Sequence, residues 1–159
     1  MLKFFLPAAV TAALALGGCA VGSVQPGDSG EAVTARYGTP SRVVPLTTGS
    51  RLQYSRQPAG QSAFMVDLDA SGRVTAAREV MNPANFVRVV PGQWTREDTE
   101  RELGRPASID HVASWPGDIL TYRWLDADQP MYFSVYLDAR NRVQRVGQGM
   151  EFPRFKYER

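Results

Sequence analysis

Alternating hydrophobic and polar residues near the middle of the chain predict a half-buried β-strand. Phe64, Val66 and Leu68 are apolar, and the positions between and after them include two aspartates. This period of two sends one set of side chains to a core and the other set to the opposite face. The Ser-Gly pair at 71–72 predicts a tight turn, because glycine tolerates a positive φ, and a return strand then completes a hairpin.

The same pattern returns near the C-terminal end of the chain. Residues 64–74 and residues 133–143 are identical at seven of eleven positions. Shorter matches precede this pair in the same order: Pro26-Gly27 with Pro91-Gly92, Gly38-Thr39-Pro40 with Gly104-Arg105-Pro106, and Leu52-Gln53-Tyr54 with Leu120-Thr121-Tyr122. Four matches in series predict two tandem copies of one unit, residues 27–82 and residues 83–150.

Each predicted unit begins with a short helix. In the second unit residues 95–98 (Thr-Arg-Glu-Asp) resemble a capping box, and in the first unit Asp28 or Ser29 is placed to cap a helix that runs to Tyr37. A glycine follows each helix at the position where a left-handed residue ends it, and a proline two residues later prevents its continuation.

Strands are predicted after each helix, at 42–46, 51–56, 108–114 and 119–125 in addition to the two hairpins. Each unit then has about four strands in an antiparallel meander, which gives an α+β fold class. Because a unit of about 60 residues is marginal alone, we expect the two copies to share one continuous sheet or one core.

The first eighteen residues resemble the signal peptide of a bacterial lipoprotein. Residues 4–16 are almost wholly apolar, and their thirteen residues are fewer than the roughly 20 that a membrane-spanning helix needs. Residues 16–19 (Leu-Gly-Gly-Cys) resemble a lipobox, so Cys19, the only cysteine, is the predicted lipidation site and first residue of the mature chain. The alternative is an ordinary secretory signal in which this cysteine is incidental.

The segments that flank the two units are short. Residues 1–18 are the predicted lipoprotein signal peptide, residues 19–26 a lipidated tether, and residues 151–159 a C-terminal tail. In the lipoprotein-sorting machinery that this pattern resembles, alanine at position 20 permits transfer to the outer membrane.

Composition and charge narrow the class of partner. Removal of residues 1–18 would leave 141 residues, which suits one domain. Lys and Arg then number 17, because Lys3 is lost from the total of 18, against 16 Asp and Glu, for a formal charge of about +1. This near-neutral balance predicts no nucleic-acid partner.

Catalytic and metal-binding motifs are absent from the sequence. His111 is the only histidine, which excludes a zinc set of several His and Cys residues, and we expect it on the surface of a strand. Residues 67–72 (Asp-Leu-Asp-Ala-Ser-Gly) imitate the start of a calcium loop, but Arg78 stands where an EF-hand needs glutamate. The hairpin turn explains this segment, so we predict no metal, no cofactor and no enzymatic activity.

The polar face of the paired strands is the predicted binding surface, because exposed tyrosines are common in protein interfaces. The two units keep the same core and differ on this face, which suits one asymmetric partner that contacts both. Neutral drift of solvent-facing residues would produce the same difference, and helices or a loop that cover the tyrosines would make them structural. The candidate partner-binding residues are Tyr132, Ser134 and Tyr136, their aligned positions Met65 and Asp67, and the loop residue Trp115.

The order of these features resembles the BamE-like superfamily of outer-membrane lipoproteins, also called SmpA/OmlA. The shared order is Pro-Gly, helix, Gly-x-Pro, a strand with tyrosine and then paired strands, found twice after a lipobox across residues 23–150. The tandem form is similar in architecture to the β-lactamase inhibitory protein, BLIP. The resemblance implies a non-catalytic lipoprotein of the outer membrane that faces the periplasm, although BamE itself is a single repeat.

We therefore expect a lipid-anchored protein-binding or scaffold module that acts in the assembly or maintenance of the envelope, β-barrel assembly included. Its partners would be the membrane, through the lipid at Cys19, and an envelope protein. The alternative is a BLIP-like inhibitor of a periplasmic or incoming enzyme. A hydrolase, the third hypothesis, would need a convergent polar pocket that neither the motifs nor the residue inventory indicates.

We predict that a Cys19→Ser variant loses labelling by fatty acid and is not cleaved by the lipoprotein signal peptidase, because the thiol is the group that receives the lipid. Metabolic labelling with an alkyne fatty acid, together with the mass of the purified chain, tests this. Undiminished labelling of the variant would contradict the prediction.

Overall fold

The computed structural model of the chain describes residues 23–152, which form an α+β fold with two four-stranded antiparallel sheets. The predicted signal peptide, the predicted lipidation site Cys19 and the residues from 153 onward lie outside the described residues. The first half of the chain contains α1 (Gly30–Tyr37), β1 (Arg42–Leu46), β2 (Gly49–Ser55), β3 (Ala63–Asp69) and β4 (Val74–Glu79). The second half contains α2 (Pro83–Phe86), α3 (Arg96–Leu103), β5 (Ser108–Asp110), β6 (Ile119–Asp126), β7 (Gln129–Leu137) and β8 (Val143–Met150).

Each sheet is a meander whose strands pair in chain order, β1 to β4 in the first sheet and β5 to β8 in the second. The sheets are separate, so the expectation of one continuous sheet is wrong, whereas a core shared between the halves is present. The predicted strand at 108–114 is also too long. The strand ends at Asp110, because the chain there leaves the sheet and enters a turn. In this turn the backbone N–H of Trp115 donates to the Val112 carbonyl at 3.0 Å.

The two longer helices begin and end as their sequences predict. The Ser29 hydroxyl accepts the backbone N–H of Ala32, three residues later, at 3.1 Å. At the start of α3, Thr95 and Asp98 form a reciprocal capping box. Gly38 and Gly104 follow the helices with φ values of 80° and 81°, a region that favours glycine. The short helix α2 is not predicted, although Asn82 caps it and proline occupies its first turn.

The turn of each hairpin is held by an aspartate. The Asp69 carboxylate accepts the backbone N–H groups of residues 71 and 73 at 2.8 and 3.0 Å, and Asp138 accepts those of residues 140 and 142 at 2.8 and 2.9 Å. Gly72 and Asn141 take positive φ values of 77° and 59° at these turns. Asp69 thus belongs to a hairpin turn, as the sequence analysis expects for the segment that imitates a calcium loop.

The segment before each helix is hydrogen-bonded to the start of its sheet's last strand. The Gly27 N–H donates to the Val74 carbonyl at 2.8 Å, and the Gly92 N–H donates to the Val143 carbonyl at 2.7 Å. Isolated β-bridges join Ser29 with Arg73 and Thr95 with Arg142. Each helix N-terminus is therefore fixed beside the hairpin turn of its own half.

The first sheet is buried on both faces. On one side Val66 and Leu68 pack with Val33 of α1 in a small apolar cluster. On the other side Ala63 and Met65, both 0% exposed, join the larger cluster that contains the core of the second half. The first sheet therefore lies between α1 and the second half, and the two halves share a core.

The predicted core residues are buried with one exception. Of the six aligned positions, five are buried in the structure: Val66, Leu68, Phe133, Val135 and Leu137. Phe64 is only partly buried, and its ring stacks on that of Tyr37, with centroids 5.5 Å apart. Phe64 lies toward the end of the sheet where α1 ends, which leaves one side of its ring open.

We predict that Leu137→Ala destabilises the protein by roughly 2–5 kcal/mol, the range for truncation of a buried leucine. Leu137 is 0% exposed within the larger core cluster. Leu125→Ala is the matched control, because Leu125 lies in the same sheet with 45% of its surface exposed. Urea unfolding of the two variants measures the difference, and equal losses would show that the core has been placed on the wrong face.

Candidate functional site

The second sheet has one face that no helix of its own half covers, which we call the outer face. Cross-strand register places Tyr132, Ser134 and Tyr136 of β7 on it, opposite Gly149, Gly147 and Arg145 of β8. Their neighbours in sequence, Phe133 and Val135, point into the core. These three β7 residues therefore lie on the side of the strand that the alternating pattern predicts, and all three are partly exposed.

An aromatic cluster stands at one end of the outer face. The Trp115 ring meets the Tyr136 ring edge-on, with centroids 5.3 Å apart and an interplanar angle of 76°. The guanidinium carbon of Arg145 lies 3.9 Å from the Tyr136 centroid and 5.4 Å from the Trp115 centroid. These are cation–π distances, so the two rings hold the Arg145 head group in place.

The loop that carries Trp115 is anchored to the sheet. The indole N–H of Trp115 donates to the Leu137 carbonyl at 2.6 Å. Gly117 passes so close to β7 that a Cβ atom there would lie 2.3 Å from the same carbonyl oxygen. A larger residue at 117 would push the loop away, so glycine is required for Trp115 to reach the outer face.

Arg145 differs from the other arginine of the outer face in its partners. Its side chain is exposed, and it makes no hydrogen bond or ion pair with any residue from 23 to 152. Arg123, on the same face, differs because Glu151 binds its guanidinium at 2.8 and 3.0 Å and the Pro58 carbonyl accepts from it at 2.8 Å. The guanidinium donors of Arg145 are thus oriented by aromatic rings and remain available to an anionic group.

Small residues separate the aromatic cluster from Tyr132. Thr121, Ser134 and Gly147 lie side by side across β6, β7 and β8. A Cβ atom added at Gly147 or Gly149 would meet no heavy atom within 4 Å. The outer face is therefore a shallow, open trough with bulky rings at its ends.

The positions aligned with this surface in the first half are not exposed there. Met65 is 0% exposed, and Asp67 lies in an ion-pair network with only 14% of its side chain exposed. The expectation that they present a binding face is wrong in this respect, because the second half covers that side of the first sheet. Of the binding surface predicted on both halves, only the part on the second sheet is exposed.

Asp67 instead belongs to a buried junction between the halves. Arg51, 5% exposed, binds both carboxylate oxygens of Asp67 and also contacts Glu102 of α3 at 2.9 Å. Arg51 and Gln53 further donate to the last carbonyls of α3, those of residues 100 and 101, at 2.9 to 3.0 Å. The Glu100 carbonyl also accepts the N–H of Gly104 at 3.0 Å, so the first sheet adds further donors to the carbonyls at the end of α3.

The pKa of Asp67 shows which influence dominates at this junction. Burial alone would raise the pKa of this carboxyl, but the hydrogen bonds and charges of Arg51 and Arg78 outweigh burial and lower it below its ordinary value. Arg78 contacts the Asp67 carboxylate at 2.9 Å. The sequence contains a signal for this junction that was missed: Arg51 and Gln53 are polar residues that flank the buried Leu52 in a strand.

The single histidine lies away from the trough's centre. His111 is exposed just beyond β5, and its Nδ1 lies 3.1 Å from a carboxylate oxygen of Asp118, which also binds Arg96 at 2.8 Å. Within residues 23–152 no three His, Cys, Asp or Glu side chains converge so as to hold a metal ion. His111 is therefore an exposed residue beside a carboxylate, in a loop rather than in the predicted strand.

A second concave region lies on the first half. It encloses about 520 Å³ beside the rings of Tyr37, Tyr54 and Phe64, with hydroxyl groups at its rim. The Tyr54 hydroxyl is buried and has no hydrogen bond of ordinary geometry within the described residues. Burial raises the pKa of Tyr54, and a weaker interaction with Thr34 opposes that shift. Arg56 also lines this groove, whereas the guanidinium of Arg145 is held over two aromatic rings.

Comparison with known proteins adds little to this picture. No protein-family model and no curated protein matches the chain. A DUF4309 family protein from Bacillus subtilis is similar at 16% identity and a TM-score of 0.30, over 76% of this chain and 77% of that one. An extracellular protein with an SCP domain from Bacillus anthracis is similar at 13% identity and a TM-score of 0.34, over 92% of this chain and 57% of that one. Scores this low support no inference about fold or function. None of the helices within residues 23–152 is long and apolar enough to cross a membrane.

We predict that Asp67→Asn costs roughly 1–3 kcal/mol at pH 7, because it removes one of the two carboxylates that pair with the buried Arg51 and leaves only Glu102. The folded-state pKa of Asp67 is lowered, so its stabilisation is complete above the unfolded pKa of about 4 and disappears as pH falls through the lower folded value. The variant should therefore converge with the wild type in acid. Urea titrations of the variant and the wild type at pH 7 and in acid measure the difference in the free energy of unfolding, with Asp128→Asn, at an exposed position, as the control. An equal deficit at both pH values would contradict the ionic explanation.

Proposed function

We propose that this protein is a lipid-anchored, non-catalytic binding module of the bacterial outer membrane, which faces the periplasm and docks an envelope protein on the outer face of its second sheet. The observation that carries the proposal is the oriented and unpaired guanidinium of Arg145 on the rings of Tyr136 and Trp115. Tyrosine, tryptophan and arginine are the residues that most often dominate the energy of protein interfaces. An open trough beside such a cluster suits a protein segment better than an enclosed small molecule.

The proposal extends to the origin of the fold, as two copies of one BamE-like unit over residues 27–82 and 83–150. Its support is the correspondence of hydrogen bonds between the halves. The helix caps, the aspartate turns and the bonds from Gly27 and Gly92 to the last strands occupy aligned positions. Both hairpins also have a register shift at the same place, between residues 67 and 68 and between residues 136 and 137.

The start of the folded region bears on how an anchor at Cys19 would hold the molecule. Residues 19–26 are the predicted tether, yet Val24 is only 7% exposed and packs in the apolar cluster under α1. Five residues from Cys19 to Val24 reach at most roughly 18 Å. Under the proposed anchor, the β3–β4 turn next to this segment lies close to the lipid headgroups. Arg73 in that turn donates to the Gly27 carbonyl at 3.2 Å.

We predict that a Tyr132→Ala, Tyr136→Ala double variant folds but recovers its envelope partner with a crosslinking yield reduced about tenfold or more, the effect expected when interface hot spots are truncated. Chemical crosslinking in intact envelopes, followed by mass spectrometry, measures the yield. Tyr37→Ala is the control, because Tyr37 is a tyrosine with 42% exposure in the first half.

Normal folding with an undiminished yield of the same partners would remove the outer face from the proposal. A variant that unfolds would show that these tyrosines are structural. The identity of the recovered partner separates the two functions considered from the sequence: an envelope-assembly component supports the scaffold, whereas an enzyme that loses activity when the pure protein is added supports the inhibitor.

A further inference from the structure

Strand β8 is an outer edge of the second sheet, and part of this edge has no hydrogen-bond partner among residues 23–152. Its first residue is tied to the chain before α3: the Val143 carbonyl accepts from Gly92 at 2.7 Å, and the Val143 N–H donates to the Trp94 carbonyl at 2.9 Å. From residue 146 to residue 150 the described chain forms no backbone hydrogen bond on the side away from β7.

The pairing with β7 shows which groups point outward. The Glu151 N–H donates to the Pro130 carbonyl at 2.9 Å, which makes these residues a hydrogen-bonded pair. Hydrogen-bonded and non-hydrogen-bonded pairs alternate along an antiparallel ladder. Val146, Gln148 and Met150 therefore direct their N–H and C=O groups away from β7, as Val143 does at the other end of the strand.

The other three sheet edges carry features that discourage pairing. Strand β1 contains Pro45, β5 has only three residues, and β4 ends in the charged residues Arg78 and Glu79. The open part of β8 has neither proline nor lysine, and Met150 there is 53% exposed. An edge of this kind is a template for an added strand.

We propose that the envelope partner adds an antiparallel strand to the edge of β8, with an acidic side chain opposite Arg145 and aromatic side chains opposite Gly147 and Gly149. This inference rests on the proposed protein-binding function and specifies how the outer face binds. A strand joined to the outward groups of Val146 and Gln148 places its residue opposite Arg145 in a non-hydrogen-bonded pair. Side chains approach most closely in such pairs.

Charge and shape at the outer face select these residue types. The Arg145 guanidinium is held by two rings and has no anionic partner among the described residues, so a carboxylate opposite it gains a charge-assisted hydrogen bond. Gly147 and Gly149 leave open space where a side chain would stand. A large aromatic ring on the neighbouring strand fills the space over a glycine.

A second copy of this chain fits the edge less well. Antiparallel self-pairing centred on Gly147 would place Arg145 opposite Gly149, and pairing centred on Arg145 would oppose two like charges. Neither arrangement supplies a carboxylate to the guanidinium. Pairing centred on Gln148 would bring Glu151 opposite Arg145, but that carboxylate already binds Arg123. The acidic partner strand is therefore the occupant that the charge of this edge favours.

Binding of a defined peptide to the purified full-length protein tests the side-chain part of the proposal. The probe is a capped, fluorescently labelled Val-Tyr-Thr-Tyr-Val-Glu peptide, whose glutamate falls opposite Arg145 in the antiparallel register. Fluorescence anisotropy should give a Kd about tenfold or more higher for Arg145→Glu than for the wild type. A peptide with lysine in place of glutamate should show the reverse preference, which a general loss of folding would not produce.

Substitution at Gln148 tests the backbone part. Gln148→Pro removes an outward N–H but leaves the bonds to β7, whereas Gln148→Ala keeps the N–H and is the matched control. We expect the proline variant to weaken peptide binding about tenfold while the alanine variant binds as the wild type does. Equal binding by the proline and alanine variants, or no preference for the glutamate peptide, would overturn strand addition.

Two further outcomes separate this inference from the function on which it rests. If Gln148→Pro still crosslinks its envelope partner while the double tyrosine variant does not, the outer face binds protein and strand addition is wrong. If the wild type is a dimer by analytical ultracentrifugation and Gln148→Pro is a monomer, a second copy occupies the edge and the proposal is overturned. Loss of the envelope crosslink in the proline variant alone, with the alanine variant intact, supports it.

Discussion

The buried guanidinium of Arg51 is the contact on which the relation between the two halves depends. It lies between the Asp67 carboxylate, Glu102 and the final carbonyls of α3, and Gln53 adds a second donor to the same helix end. Burial of a charge costs free energy unless the charge is paired and hydrogen-bonded. For Arg51, the two carboxylates supply the pairing, and the helix carbonyl accepts a further hydrogen bond. Because the donors come from the first sheet and the acceptors largely from α3, neither half satisfies its polar groups alone. The apolar core shared by the halves surrounds Met65 next to this network.

This junction makes the two sheets unequal. The face of the first sheet that carries Met65 and Asp67 is used to bind the second half, whereas the aligned face of the second sheet is open to solvent. The difference between the units on this face, which the sequence analysis attributes to an asymmetric partner or to drift, therefore has an internal cause. Buried methionine and paired aspartate suit a junction, while Tyr136 and Ser134 suit an exposed surface. Any single binding surface on these strands must then lie on the second sheet.

Local chemistry made much of the fold predictable. The capping box at Thr95 and the two hairpin turns follow from residue types within a few positions of each other, and hydrophobic alternation placed the strands of both hairpins. The use of each face was not predictable, because a period of two shows that a strand has two faces but not which distant segment covers them. The open edge of β8 and the contact of Arg145 with Tyr136 depend likewise on strand order and register. Only the position of Tyr136 in its strand could be taken from the sequence.

The proposed lipid anchor also affects how tightly the proposed binding surface must bind its partner. A lipid at Cys19 would hold the β3–β4 end of the first half within a short reach of the membrane, because Val24 is already part of the core. Such a tether keeps the binding surface in a thin layer of the periplasm and raises the effective concentration of any partner at the same membrane. A modest affinity between this protein and its partner then suffices. An extended strand would bind with such an affinity, because the ordering of a flexible segment on binding costs free energy. The rigid parts of the contact would come from this protein: an oriented arginine, two fixed rings and a strand edge held by its sheet.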